Sequence, residues 1–508
     1  MGKFLQNKRE SALRVLSKSK LLAFRQCPKR LWLEVHRPDL REDSSATLAS
    51  FMVGHQVGDI ARHVYDPKGK GTLIDFQVGG FDAAFTRTQA LLQTNQPIFE
   101  AGFRAEGALA FADVMLPIKQ AGNRAWRMVE VKSSTSVKDY HRDDAAVQAF
   151  LAHSCGVPLA GIALAHIDSS WVYPGGGDYS GLLVENDLTD EAFPREAEVR
   201  GWIEEAHGIV AKKKEPRVLT GEQCSAPYEC GFFAYCQSNE PLVEQPLHWL
   251  PGAQSKALKA HIEAHGSSEL RDVPDELLNE KQRRVKKVTL TGKVHFDQVS
   301  AARDLAQHKL PAYFMDFETI QFAVPIWKGT RPYQQIPFQF SVHRLARTGK
   351  LVQQAFLDLS GGDPSRGFAE ALVGACGERG PIFVYNAGFE MARIRDLAQR
   401  FPRLAKALLR SMSVWLISCV WHVNTTTTRV SKAAGASRRY SQRCAPSGTM
   451  ATLTAVRMAA RPWRPLWKRS RRKPPPHARP RLSSSSWITG RWTLMRWCAC
   501  GPRSLAQP

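Results

Sequence analysis

Acidic residues are absent from the last 98 residues of the chain, 411–508, although the whole sequence contains 47 of them. The same stretch carries 18 of the 70 Lys and Arg residues, so it supplies most of the formal net charge of +23. It also holds 7 of the 13 tryptophans and shows neither helical nor strand periodicity. Because basic tails that bind nucleic acid are usually poor in tryptophan, this charge is weak support for such a ligand. We predict a disordered basic tail over 411–508.

A long apolar run is also missing. No apolar run reaches the roughly 20 residues that span a bilayer, and residues 1–20 lack the apolar stretch of a signal peptide. We therefore expect a cytoplasmic protein with no membrane partner. In that compartment the ten cysteines are expected to be ligands or buried thiols rather than disulfides. The sequence gives no indication of protein partners.

Composition and pattern divide the chain into two α/β domains, a stretch between them, and the tail. Helix-like and strand-like segments alternate over residues 1–240, and a polar stretch that looks like a linker or helical insert covers 241–305. A new α/β pattern begins near PAYFMDFET and defines a second domain over 306–410. The length and the 43% apolar content suit two or three globular domains.

Two carboxylates and a lysine are expected to meet in the first domain. The strand FADVML carries Asp113, and after a turn the strand WRMVEVKSS carries Glu130 and Lys132. Residues two apart in a strand share a face, and a hairpin can bring Asp113 beside the other two. Such a set can hold Mg²⁺ or Mn²⁺ and stabilise the charge that develops when a phosphodiester is cut. The alternative is a solvated strand face, because D…ExK is a common pattern.

Two further side chains could join this set. His55 lies in an upstream predicted helix and could reach the metal, and Gln148 lies in the helix after the hairpin and could contact DNA. The alternatives are an ordinary exposed histidine and a solvated helix position.

The order of these residues resembles the PD-(D/E)XK nuclease superfamily, specifically its RecB-like, CRISPR-associated branch, over about residues 15–240. The resemblance implies a restriction-endonuclease-like fold and a metal-dependent nuclease, for which DNA is favoured over RNA as the substrate. Its motifs His, Asp, ExK and QxxxY would fall on His55, Asp113, Glu130 with Lys132, and Gln148. The tyrosine of the last motif is replaced by alanine here.

Four of the six cysteines outside the tail could form a second site. They are Cys27 and the C-x5-C-x5-C set of Cys224, Cys230 and Cys236. Four thiolates brought together can hold a [4Fe–4S] cluster or zinc, and zinc sites usually show closer cysteine pairs. RecB-like nucleases often place one cysteine before the nuclease core and three after it, so the resemblance implies a cluster that ties the two ends together. Buried cysteines without a ligand are the alternative.

A third constellation lies in the second domain. The strand YFMDFET places Asp316 and Glu318 on one face, and VYNAGFE leads into a helix that carries Glu390. These segments resemble the first two motifs of DnaQ-like DEDD 3′–5′ exonucleases on an RNase H-like sheet, where carboxylates bind two metal ions. That family usually has Asp where Glu390 stands. Its last motif needs an aspartate about 100 residues later, which the tail cannot supply, so we expect a truncated, inactive domain.

The joining of both nuclease types resembles a bacterial family that is known mainly as a domain of unknown function, up to about residue 410. That family ends in segments such as LDY-x-x-LDT-x-AMVRLW. When the possible codons of SWITGRWTLMRWCACG, 486–501, are read one nucleotide earlier, they permit this segment. Residues 422–443 and the stretch around 413–418 recover family segments under the same shift. We therefore hypothesise a frameshift near residue 410; the alternative is a true basic tail.

The sequence predicts a metal-dependent nuclease followed by an exonuclease-like domain that is inactive in this chain. The alternative from another class is a non-catalytic nucleic-acid-binding protein, which would bind without cleavage and with strong salt dependence.

Overall fold

The computed structural model describes residues 15–241, 243–251, 254–265, 269–293, 295–377, 379–384, 386–412, 415–417 and 426–427. Contacts divide the chain into two units. The first unit comprises residues 1–242 and 321–334, and the second comprises 243–320 and 335–508. Both are α/β with mixed sheets. The predicted disorder of the tail concerns residues that lie almost entirely outside the described part.

The first unit is built on a seven-stranded sheet. Its strands are β1 (Leu16–Ser17), β2 (Thr72–Leu73), β3 (Ile98–Ala105), β4 (Ala108–Gln120), β5 (Asn123–Lys132), β6 (Leu159–Ile167) and β7 (Leu183–Asp187). The order is β2-β3-β4-β5-β6-β7, with β1 paired to β4. Strands β3, β4 and β5 form an antiparallel meander, whereas β5 and β6 run parallel.

Helices of the first unit cover this sheet and connect its strands. They are α1 (Lys18–Gln26), α2 (Pro28–His36), α3 (Ser45–Tyr65), α4 (Gly80–Leu91), α5 (Asp139–Ser154), α6 (Thr189–Ala192), α7 (Glu196–Val210) and α8 (Phe233–Ser238). Short 3₁₀ turns lie at Pro38–Leu40, Phe193–Arg195 and Glu222–Cys224.

The apolar stripe of residues 17–35 predicts a single helix capped by Ser17, but the structure has two helices there. Cys27 has an extended backbone that ends α1 and begins α2, and Pro28 occupies the first position of α2. A residue before proline is disfavoured in the helical region, and proline is well suited to a helix start, so the Cys-Pro pair explains the break.

The main core of the first unit lies between the sheet and helices α1, α2, α5 and α7. Trp126, Met128, Phe103, Phe150 and Leu31 are all at most 1% exposed in this core. Because α5 is buried along most of its length, any polar residue on it must find a partner inside the protein.

The second unit has a five-stranded sheet in the order β11-β10-β9-β12-β13. Its strands are β9 (Ala312–Ile320), β10 (Ile336–Leu345), β11 (Leu351–Leu357), β12 (Ile382–Val384) and β13 (Trp415–Ile417), and a two-stranded sheet pairs β8 (His295–Phe296) with β14 (Thr426–Thr427). Strand β9 pairs antiparallel with β10 and parallel with β12.

Helices of the second unit are α9 (Lys256–His265), α10 (Glu280–Thr291), α11 (Gln298–Ala306), α12 (Ser365–Ala375), α13 (Ala387–Arg400) and α14 (Pro402–Met412), with 3₁₀ turns at Leu247–Trp249, Leu270–Asp272 and Asp275–Leu277. The polar stretch 241–305 therefore contains helices, and it has a small apolar core around Leu258 and Leu270. Among the described residues of the whole chain, no helix is both long and apolar enough to cross a membrane.

Candidate functional site

The first site lies at one edge of β4, where the strand that pairs with this edge changes from β1 to β5. Strand β1 pairs with β4 only at Ala108 and Leu109, and β5 pairs with it only from Val114 onward. Asp113 lies in the gap between these pairings, and the ends of β1 and β5 lead into it. A gap in backbone pairing at the end of neighbouring strands leaves room for side chains to converge.

Glu130 is the centre of this site. Its side chain is buried, with 1% exposure of the residue. One carboxylate oxygen accepts hydrogen bonds from Lys18 Nζ at 2.9 Å and Lys132 Nζ at 2.5 Å, and the other accepts from the side-chain amide of Gln148. A buried carboxylate needs such partners because desolvation of an unpaired charge is costly. The alternative of a solvated strand face is therefore wrong for Glu130.

Gln148 is also fully buried, on the side of α5 that faces the sheet. The alternative of a solvated helix position is wrong for this residue too. Its amide Oε1 has no hydrogen-bond partner among the described residues, while Nε2 donates to Glu130. The hydrogen bond from Gln148 therefore helps to fix the orientation of the Glu130 carboxylate.

Asp144 is a site residue that the sequence reasoning missed. It is 2% exposed, and its two carboxylate oxygens lie 2.8 Å from Lys18 Nζ and 2.5 Å from Lys132 Nζ. Burial alone would raise its pKa, but the two lysines outweigh burial and lower the pKa below the usual range. Asp144 precedes Gln148 by one helical turn, so the i, i+4 spacing was a signal that could have found it.

Asp113 contacts the same site through the backbone. Its carboxylate accepts a hydrogen bond from the backbone N–H of Val131 at 2.7 Å, which ties it to β5 between Glu130 and Lys132. Burial and the nearby charge of Glu130 raise the pKa of Asp113 well above its usual value, and the two lysines oppose that rise. The hairpin thus brings Asp113, Glu130 and Lys132 together as the sequence predicts.

Glu100 adds a third carboxylate that the sequence reasoning missed. It interrupts the pairing of β3 with β4, which skips from Phe99 to Ala101, and its φ of 56° is unusual for a residue other than glycine. Its pKa is raised by burial and by Glu130. The sequence carries no signal for this backbone irregularity, which turns a strand residue toward the site.

His55 lies on the exposed surface of α3. It lies near enough to Glu100 that a positive charge on its ring would oppose the rise in the pKa of that carboxyl. The structure therefore places His55 toward the Glu100 side of the site, whereas Glu130 is held by lysines and Gln148.

The donor set suits a hard divalent cation. Carboxylate oxygens are the ligands that Mg²⁺ and Mn²⁺ prefer. Burial is the main cause of the raised pKa values of Asp113 and Glu100, and the negative charge of Glu130 adds to both. A cation would relieve that repulsion. Among the described residues, no three His, Cys, Asp or Glu side chains stand in a metal-binding arrangement.

The four predicted cysteines line one cavity. Cys27 contributes from the junction of α1 and α2, and Cys224, Cys230 and Cys236 contribute from the segment that ends in α8. The backbone N–H of Cys230 donates to the carbonyl of Cys224 at 2.8 Å. The side-chain amide of Gln26 donates to the carbonyls of Gln223 and Tyr228 at 2.6 and 2.8 Å, which fixes Cys27 against the other three cysteines.

The cavity's chemistry suits a group that binds thiolates. Burial raises the pKa of Cys224 and Cys230, and raises that of Cys236 to about 11, and neighbouring cysteines add to each rise. Four thiolates would repel one another here unless a metal ion or cluster compensated them. Lys29 and Arg30 also line the cavity and place positive charge beside the sulfur atoms.

The third set of residues is partly assembled in the second unit. Asp316 and Glu318 lie exposed on one face of β9, and Glu390 is buried in the first turn of α13. Burial raises the pKa of Glu390 to about 7, backbone N–H groups oppose this, and the charge of Asp316 adds to it. Asp316 therefore lies close enough to Glu390 for its charge to act on that carboxyl.

Comparison with known families gives one match. Residues 313–416 match the family described as "Domain of unknown function (DUF2779)". The matched segment runs from β9 to β13 and so includes Asp316, Glu318 and Glu390. No curated protein matches the chain.

Proposed function

We propose that the first unit is a metal-dependent nuclease of the PD-(D/E)XK type that hydrolyses phosphodiester bonds in nucleic acid, DNA in preference to RNA. The observation that carries the proposal is the convergence of Asp113, Lys132 and Gln148 around the buried carboxylate of Glu130. A solvated strand face would not bury this carboxylate or surround it with donors.

Asp113 and Glu130, with Glu100 and His55 beside them, would hold Mg²⁺ or Mn²⁺. A bound divalent cation supplies charge neutralisation at the phosphate and a more acidic water. Lys132 contributes a fixed positive charge. Burial opposes that charge, but Asp144, Glu130 and Asp113 outweigh burial and raise the pKa well above its usual value. Lys132 therefore stabilises negative charge at the scissile phosphate rather than accepting a proton.

We propose further that the cysteine cavity holds a [4Fe–4S] cluster, with Zn²⁺ as the alternative. Its role would be structural, because the ligands join the helical start of the unit to the segment that follows α7.

The second unit is proposed to be an RNase H-like, DnaQ-type exonuclease domain that is inactive in this chain. Asp316, Glu318 and Glu390 supply part of a two-metal carboxylate set, and the tail lacks any aspartate or glutamate to complete it.

The test is cleavage of single-stranded DNA, double-stranded DNA and RNA by the purified full chain with Mn²⁺. We expect cleavage of DNA that is lost in Glu130→Gln. Glu106→Gln is the matched control because Glu106 pairs with Arg200 on the surface. Glu390→Gln should leave the rate unchanged.

Absence of cleavage by protein that binds Mn²⁺ and carries its metal cluster would overturn the nuclease proposal. If the same protein binds DNA in a salt-sensitive manner without cutting it, the non-catalytic alternative is favoured instead.

A further inference from the structure

Helix α1 delivers a second lysine to the proposed active site. Lys18 is the first residue of α1 and directly follows β1, which pairs with the edge of β4 beside the gap that contains Asp113. Its ammonium group lies 2.9 Å from Glu130 Oε1 and 2.8 Å from Asp144 Oδ1. Lys132 makes the equivalent pair of contacts. The four side chains therefore form a ring in which two lysines alternate with two carboxylates.

The lysines, and not the carboxylates, form the accessible side of this ring. The side chains of Lys18 and Lys132 are 18% and 22% exposed, whereas those of Glu130 and Asp144 are 2% and 3% exposed. An approaching phosphate would thus meet the side chains of the two lysines before it met either carboxylate. Each ammonium has three N–H donors. Lys132 donates to both carboxylates, whereas Lys18 donates to Glu130 and makes only an ionic contact with Asp144 Oδ1. Each ammonium therefore keeps at least one N–H for a substrate oxygen.

We propose that Lys18 is a second phosphate-binding catalytic residue, and that Asp144 is a positioning residue that holds Lys18 and Lys132 side by side. The inference rests on the proposed nuclease function. The ring would bind the non-bridging oxygens of a phosphodiester through the ammonium groups of Lys18 and Lys132. Only Lys132 belongs to the ExK motif.

The charge state of Lys18 agrees with this role. Burial disfavours the charged amine, but Asp144 and Glu130 outweigh burial and raise its pKa to about 12. The contacts of Lys18 Nζ with two carboxylates favour the ammonium form, which can bind an anion.

The experiment compares Lys18→Met and Lys18→Arg in the full chain, with Lys20→Met as the control on the same helix. Two quantities are measured: the Mn²⁺-dependent cleavage rate of single-stranded DNA, and the salt dependence of its binding without metal. We expect Lys18→Met to lower kcat about 100-fold and to reduce the slope of log K against log[salt] by about 0.7, the value for one phosphate contact. Lys18→Arg should keep the slope.

Asp144→Asn separates the positioning role from the binding role. Both lysines keep their charge in this variant, so kcat should fall while the salt slope stays that of the wild type. Thermal unfolding of each variant, together with the Lys18→Met/Asp144→Asn double variant, which removes one charge of each sign, reports any loss of folding.

The outcomes distinguish this inference from the function on which it rests. A wild-type protein that does not cleave DNA contradicts the nuclease proposal. A wild-type protein that cleaves, together with a folded Lys18→Met variant of unchanged rate and slope, overturns the role of Lys18 alone. A lower rate with an unchanged slope would make Lys18 a structural partner of Glu130 and also contradict the inference.

Discussion

The hydroxyl of Tyr333 donates a hydrogen bond to the backbone carbonyl of Ser133, the residue that follows Lys132. Tyr333 belongs to the segment 321–334, which lies in the chain between β9 and β10 of the second unit yet is part of the first. The same segment exchanges two backbone hydrogen bonds with Tyr173, through Thr330 and Gly329 at 3.0 and 2.8 Å. The end of the proposed catalytic strand is therefore supported by residues more than 180 positions later.

Val324 tests whether this segment stabilises the first unit. It is 1% exposed and packs in a cluster with Val57, Ile167 and Leu182. We expect Val324→Ala to lower the free energy of unfolding by about 2 kcal/mol, because it removes buried methyl groups and leaves a cavity. Val299, which is 80% exposed, provides the matched control. Equal effects of both substitutions in urea unfolding would contradict the assignment of 321–334 to the first unit.

His141 predicts a loss of stability in mild acid. Burial, with the charge of Lys132, lowers its pKa from 6.5 to about 4. As the pH falls from about 6.5 to about 4, the unfolded chain takes up a proton that the folded chain refuses, so stability decreases. His141→Gln removes this titrating group. Between about pH 6.5 and pH 4, the free energy of unfolding of the variant should therefore fall by on the order of 2 kcal/mol less than that of the wild type. The exposed His63→Gln variant should follow the wild type; a His141→Gln profile parallel to the wild type would contradict the prediction.

The cysteine cavity predicts a metal-dependent colour and stability. Protein purified without oxygen should contain about four iron atoms per chain and absorb visible light if the cluster is [4Fe–4S]. Cys27→Ser should remove the absorption and lower the unfolding temperature, while Cys376→Ser, outside the cavity, should not. Zinc in a colourless protein would favour the alternative, and a metal-free protein of unchanged stability would contradict both.

The acid-free composition of residues 411–508 predicts a shift of the reading frame, either in the gene or in its recorded sequence. The family match ends at residue 416, shortly after the acid-free stretch begins at residue 411. Resequencing of the locus should reveal a shift of one nucleotide near codon 410. The corrected frame would supply a tyrosine and an aspartate four residues apart and complete the carboxylate set of the second unit. A locus that reads as the present sequence, with translation in that frame, contradicts the hypothesis.

The strand hairpin and its chemistry could be predicted because they are local. Residues two apart in a strand point to the same face, so the sequence predicts that Glu130 and Lys132 lie together. Asp113 lies on the adjacent strand. The predicted strands FADVML and WRMVEVKSS coincide with parts of β4 and β5, since alternation and turn residues mark such strands.

The rest depends on contacts between distant parts of the chain. Lys18 reaches Glu130 across 112 positions, and nothing in SKSK indicates that contact. Glu100 enters the site through an irregular backbone angle, and residues 321–334 return to the first unit without a compositional signal. Propensity and spacing do not encode these relationships, because they are fixed only when the sheet and its helices pack.

The most direct measurement of the central claim is the single-turnover rate of Mn²⁺-dependent DNA cleavage by the wild type and by Asp113→Asn. The carboxylate of Asp113 accepts a hydrogen bond from the backbone N–H of Val131, the residue after Glu130. Asparagine at position 113 keeps an oxygen acceptor for this hydrogen bond and removes the negative charge. The account predicts at least a 1,000-fold lower rate for the variant, in line with the loss of a principal electrostatic group, with an unchanged unfolding temperature. Equal rates for the two proteins would contradict it.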